Sequence, residues 1–142
     1  MSRSDRLDLV QQVASRTERE RAEQLAEAER KAIEAEQKLV ALERYRNEYE
    51  QELAARGAAG VDISGVREFH AFLARLGEAL VAQRQVLAGA RAARDELLNS
   101  WREAAQRAQV VQTLADRWQD EARRDEDRRA QRESDELAQR KR

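Results

Sequence analysis

The sequence predicts an all-α chain: a long antiparallel two-helix coiled coil, an α-hairpin whose second helix is the longer. Three observations carry this. From Val66, small and apolar residues recur at alternating steps of three and four through Phe69, Leu73, Leu76, Leu80, Leu87, Ala90, Leu97, Trp101, Ala104, Ala108, Val111, Ala115, Trp118 and Ala122. Only Gln83 and Arg94 interrupt them, and both are long enough to lift a polar head out of a seam. A sustained 3.5-residue period marks a left-handed coiled coil. The second observation is composition, with 39% charged residues against 4% aromatic ones and no proline. That balance suits helices buried along one narrow stripe, and disorder would not keep the spacing. The third is that Gly57, Gly60 and Gly65, three of the five glycines, fall within nine residues.

The first helix is expected over about 5–56. Ser4 can cap it, with Asp5 and Asp8 in its first turn facing the positive end of the helix dipole. Its stripe starts weakly with Leu7, Val10, Ala14 and Thr17. It then takes two four-residue steps through Arg21 to Leu25, a stutter that locally relaxes the supercoil. Beyond it the seam is regular: Leu25, Ala28, Ala32, Ala35, Leu39, Leu42, Arg46, Tyr49, Leu53. Glu27–Lys31 and Glu34–Lys38 stand four apart in the favourable order on the outer face. Gly57 is placed to take a left-handed cap.

Residues 57–65 read as a loop, with Asp62 or Ser64 capping a second helix over about 64–135. A short connection makes the helices antiparallel neighbours, pairing positions whose numbers sum to roughly 122. Leu53 then meets Phe69, Leu42 meets Leu80, and Leu25 meets Leu97. Helix two would span roughly 105 Å at about 1.5 Å per residue and outrun its partner. The remainder from Asp116 projects, ending in a frayed charged tail at 136–142. Asp120–Arg124, Asp125–Arg129 and Glu136–Arg140 can support that stretch by pairs worth a few tenths of a kcal/mol. The whole of 1–142 is read as one coiled-coil hairpin.

The formal net charge is −1 with both signs interspersed, so no basic block addresses nucleic acid or acidic lipid. Cysteine is absent, which removes disulfides and thiolate metal sites. No metal or cofactor is expected. No apolar run reaches the length of a signal peptide or a membrane span, and the compartment expected is the cytoplasm. The single histidine, His70, falls at an outward heptad position between Phe69 and Phe72. No phosphate-binding glycine loop exists, and a two-helix rod has no pocket to tune a carboxylate. An enzyme is not expected.

Apolar side chains off the seam are more informative. Tyr45, Phe72, Ala79 and Val86 occupy g positions, and the g edges of an antiparallel pair lie together. Tyr45, Phe72 and Ala79 would share one flank bordered by Lys38, with Gly77 in the same region admitting a close approach or a bend. Either this flank widens the core, or it is a partner site, because two helices have no third layer to cover it. Trp101 and Trp118 sit on the seam. Trp118 is the odder, since helix one has almost run out beside it.

The segments LVALERYRNEYE (39–50) and FHAFLARLGEALVAQRQ (69–85), with the charged tail RRDEDRRAQRESDELAQRK, resemble the flagellar type III export FliJ family over essentially the whole chain. The resemblance implies a stalk similar to the central shaft of a rotary ATPase. It would bind the hexameric export ATPase through the end bearing both termini, promote ring assembly and ATP hydrolysis, and dock on the cytoplasmic domain of the membrane export gate. Binding of export chaperones is also implied. It places the gate surface at Leu42, Tyr45, Tyr49, Phe72, Leu76 and Ala79; Lys38 and Gln83 differ from the family's flanking residues. For the ATPase ring, the weakening stripe and dense charge point to Leu7, Val10, Trp118, Arg123, Arg124, Arg128 and Arg129. The expected location is cytoplasmic, peripheral to the inner membrane at the flagellar basal body, in a role serving motility. The equivalent stalk of a virulence secretion system shares every heptad feature. A self-associating structural coiled coil, pairing its apolar flank with a copy of itself, is the rival of another class.

Overall fold

The computed structural model describes residues 2–60 and 62–141. Met1, Val61 of the expected loop and Arg142 of the expected tail lie outside them. The fold is all-α, with helix α1 over Arg3–Ala58 and a longer helix α2 over Ile63–Arg140. Both run past their expected ends at 56 and 135, leaving a tighter connection than 57–65. Ala58 closes α1, the Ala59 amide donates to the Ala55 and Arg56 carbonyls, and Gly60 carries the left-handed φ of 88°. Gly57 is helical, so the left-handed turn lies three residues later than the sequence suggested. The Asp62 carboxylate accepts from the Gly65 amide at 2.9 Å and caps α2. At the start of α1 the cap is Ser2 rather than Ser4. Its hydroxyl accepts from the Asp5 amide while Asp5 accepts from the Ser2 amide, a reciprocal capping box.

Packing resolves the chain into two compact units, Glu23–Asn99 on one hand and Met1–Ala22 with Ser100–Arg142 on the other. Each contains an antiparallel pairing of α1 against α2.

In the unit Glu23–Asn99 the buried side chains are Ala28, Ala32 and Ala35 on α1, and Phe69, Leu76, Leu80 and Leu87 on α2. Alanine on one helix faces bulk on the other. Leu80, 1% exposed, is the most deeply buried. Leu25, Leu39, Leu42 and Leu97 are also seam positions but only half-buried, with one side of the seam left open to water. Gln83 departs from expectation: its amide turns inward and donates to the Ala35 carbonyl at 3.0 Å. Arg94 leaves the seam to pair with Asp95 at 3.0 Å.

The e positions of this unit carry an ionic edge, with Arg91–Glu36 at 3.6 Å and Arg84–Glu43 at 3.9 Å. On the outer face of α1 the ion-pair hub is Arg30, which contacts Glu27 and Glu34 in place of the expected lysine pairs. Hydrogen bonding from Arg30 holds the Glu27 carboxyl below its ordinary pKa, and Glu27 raises that of Arg30 in return.

In the other unit the half-buried and buried residues of α1 include Ser4, Leu7, Gln11, Ala14, Glu18 and Arg21, which alternate three and four, with Ser15, Thr17 and Ala22 half-buried beside them. The expected stripe is corrected at Val10, which is 51% exposed while Gln11 beside it is half-buried; Thr17 and Glu18 are both half-buried. Polar residues of this unit find partners: Gln11 donates to Gln112, Gln112 to Asp116 at 2.9 Å, and Arg21 to the Ser100 carbonyl at 3.1 Å. Ala104, Val111 and Ala115 supply the rest of this core. After Trp118 every described residue of α2 is exposed, including Ala122, the expected last seam position. Asp125–Arg128 is the ion pair formed there.

Gly77 lies at an e position, away from the g flank, and a Cβ built on it meets nothing within 4 Å. It permits no close approach. Gly77→Ala should therefore raise stability by about 0.5–1 kcal/mol through helix propensity. Leu80→Ala should lower it by about 2–5 kcal/mol. Thermal melts followed by circular dichroism check both, and a lowered melting temperature for Gly77→Ala would contradict the open space beside it.

Candidate functional site

In the unit Glu23–Asn99 the aromatic residues converge on the flank opposite the ionic edge. Residues on g of each antiparallel helix face one another, so Tyr45 and Phe72 meet across the pair: their rings lie 5.9 Å apart, edge to face. Tyr49, on the seam, touches Phe72 at 4.5 Å and Phe69 at 4.9 Å, and Tyr45 at 6.3 Å. Arg56 stacks over Phe69 at 5.3 Å. Tyr45 remains 48% exposed despite these contacts. The six residues expected at the gate surface thus divide by environment. Leu76 is buried, Leu42, Tyr49, Phe72 and Ala79 are half-buried, and Tyr45 is open to solvent. Val86 continues the exposed apolar line along α2. His70 is exposed, as its outward heptad position required. Below this flank the Nε of Arg46 is buried without a hydrogen-bond partner, and the Glu50 carboxylate stands 3.9 Å from it.

The unit of the termini holds a second apolar concavity, lined by Arg3, Arg6, Leu7, Val10, Leu114 and Trp118. Leu7 and Trp118 lie on the seam, while Val10 and Leu114 occupy g positions. The Arg3 guanidinium lies 5.8 Å over the Trp118 ring, so the first turn of α1 covers the tryptophan that seemed to have outrun its partner. Of the residues expected to face an ATPase ring, the fold gathers Leu7, Val10 and Trp118 here. Arg123, Arg124, Arg128 and Arg129 lie on the exposed continuation of α2. Arg3, Arg6 and Leu114 were not anticipated. The signal was present: keeping strict heptads through Gln11 and Glu18 puts Val10 on g, facing Leu114.

What this surface offers is apolar and aromatic area with arginines beside it. That composition suits protein recognition. Among the described residues no helix is long and apolar enough to cross a membrane.

The family described as "Flagellar FliJ protein" matches residues 2–141. The chain belongs to the flagellar FliJ family. It is 34% identical over 140 residues to the flagellar FliJ protein of Escherichia coli K12, covering 99% of this chain and 95% of that one. It is 32% identical over the same length to the flagellar FliJ protein of Salmonella typhi, with the same coverage. No solved structure matches the chain significantly.

The contact between Tyr45 and Phe72 makes the flank partly self-supporting. An edge-to-face pair contributes about 0.5–1.5 kcal/mol beyond its buried area. A double-mutant cycle with Tyr45→Ala and Phe72→Ala should thus return a coupling near 1 kcal/mol in stability. Phe72→Ala should cost the more, because Phe72 is half-buried and packs closer on Tyr49, at 4.5 Å, whereas Tyr45 is 48% exposed. Strict additivity would show that the rings do not touch in solution.

Proposed function

We propose that the chain is a non-enzymatic stalk of the flagellar type III export apparatus, joining the hexameric export ATPase to the membrane export gate. Family membership supports its place in flagellar export. The observation that carries the docking role is the flank centred on Tyr45 and Phe72. It is aromatic, partly exposed, and attached to a scaffold with no third layer to bury it. Gate docking is assigned to Leu42, Tyr45, Tyr49, Phe72, Leu76 and Ala79. Tyr45 and Phe72 would make the direct contacts, and Leu76 and Tyr49 would hold them in place.

Ring binding is assigned to Leu7, Val10 and Trp118 with Arg123, Arg124, Arg128 and Arg129. A seam of alanines and polar residues is slender, which suits a narrow hole. The extension beyond Trp118 is exposed at every described residue and offers arginines to any acidic lining. Exposed charge pairs are worth about 0–1 kcal/mol each, so such contacts hold and release without locking one orientation. Export chaperones are further partners implied by the family. In this reading the stalk is cytoplasmic and peripheral to the inner membrane at the basal body.

Deleting Gln119–Arg142 should abolish stimulation of the purified ATPase and leave gate binding intact. ATP turnover at two salt concentrations and a gate pull-down read the two roles separately. Full stimulation by the truncated chain would refute ring binding through the extension. Tyr45→Ala should weaken capture by the gate's cytoplasmic domain at least tenfold with helicity retained; unchanged capture would remove the aromatic flank from the interface.

A further inference from the structure

The solvent face of α1 carries a second heptad column that the hairpin leaves unused. With Ala28 and Ala35 on d, position b holds Ala26, Ile33, Val40 and Asn47. Ile33 is 56% and Val40 47% exposed. This column lies on the side of the ionic edge, away from the flank of Tyr45 and Phe72. The surface between its members is indented. Ile33, Glu36, Gln37, Val40, Ala41 and Arg44 line one depression, and Val40, Glu43, Arg44, Asn47, Glu48 and Gln51 line the next. Each contains an i, i+3, i+4, i+7 diamond of the kind into which a facing helix places a knob.

The flanks of the column are regular in charge. Position e is acidic throughout, with Glu29, Glu36, Glu43 and Glu50, whereas f carries Arg30, Gln37, Arg44 and Gln51. At 3.5 residues per turn, e and f stand about 51° to either side of b. We propose that this face is a contact between two copies of the chain, with their α1 helices parallel and in register. An antiparallel pair would set e against e, glutamate against glutamate. A parallel two-fold sets e against f instead, so Glu29 meets the copy's Arg30, Glu43 its Arg44 and Glu36 its Gln37, each contact made twice. Ile33 then packs on Ile33, Val40 on Val40 and Asn47 on Asn47. The central column thus carries two β-branched residues and one asparagine, with charged and amide side chains on both sides of it.

Arg30 already pairs with Glu27 and Glu34 on its own helix and is 55% exposed, so the copy's Glu29 shares its guanidinium. Glu29 and Arg44 form no ion pair among the described residues. Glu43 holds Arg84 at 3.9 Å with both side chains half-exposed, leaving a carboxylate oxygen for a second guanidinium. The patch has two large apolar side chains, Ile33 and Val40, so association is weak and follows concentration. It leaves the flank of Tyr45 and Phe72 uncovered, and does not depend on the stalk reading.

The chain lacks cysteine, which makes cross-linking a clean test. Asn47→Cys should form a disulfide dimer under mild oxidation, with yield rising with protein concentration. Lys38→Cys, on the other flank, should not. Sedimentation of the unmodified chain should show a mass increase up to about 1 mM, the range of weak association. Val40→Glu and Arg30→Glu/Arg44→Glu should each abolish the increase with helicity unchanged. A monomer at every concentration, leaving the column to another protein's helix, would overturn the proposal. So would faster cross-linking in a mixture of Ala26→Cys and Asn47→Cys than in either alone, because only antiparallel helices bring 26 beside 47.

Discussion

A pair of helices has one seam and nothing behind it, and most of the architecture follows from that constraint. In the unit Glu23–Asn99, α1 contributes buried alanines while α2 contributes Phe69, Leu76, Leu80 and Leu87. Small against large lets the backbones approach until a polar side chain on one helix reaches a carbonyl on the other, as Gln83 does at Ala35. The bulky buried side chains of this unit are thus supplied by α2. α1 acts as a groove, and its remaining faces are free of core duty.

The unit of the termini applies the same seam with weaker material. Ala14, Ala104 and Ala115 bury little apolar area, and Gln11, Glu18 and Arg21 take places that apolar residues hold elsewhere. Hydrophobic stabilisation scales with apolar area removed from water, so this pairing opens at lower cost. The Arg21–Ser100 and Gln11–Gln112 hydrogen bonds fix alignment without adding much cohesion, since each replaces one with water. Low cohesion is compatible with a role in which a surrounding protein supplies the missing layer.

Periodicity made the fold legible because a 3.5-residue repeat has few alternative solutions. The α2 seam from Val66 to Trp118 is buried or half-buried position by position. Legibility failed where hydrophobicity and phase disagreed. Val10 drew the stripe one position aside, while the seam ran through Gln11, whose amide finds its partner, Gln112, a hundred residues away. Helix ends were misplaced for a related reason. Capping by Ser2 and the turn at Gly60 rest on backbone geometry that Ser4 and Gly57 could have served equally in sequence. The aromatic flank was legible as an edge but not as a cluster, because seam residue Tyr49 joins Tyr45, Phe72 and Phe69 only through ring contacts across the pair.

With the seam occupied, chemistry divides among the remaining faces of the unit Glu23–Asn99. The e edge is ionic, and its exposed pairs add little stability. Their value lies in direction, because a shifted register would bring Glu36 or Glu43 out of reach of Arg91 and Arg84. The g edge is the opposite case: Tyr45, Phe72, Ala79 and Val86 contribute no charge, and Tyr45 keeps open surface for a partner while its ring meets Phe72 across the pair. Were the aromatic residues on the e edge, docking would compete with the ion pairs that align the helices. Separating the two edges lets a surface change partners while the hairpin beneath it stays aligned.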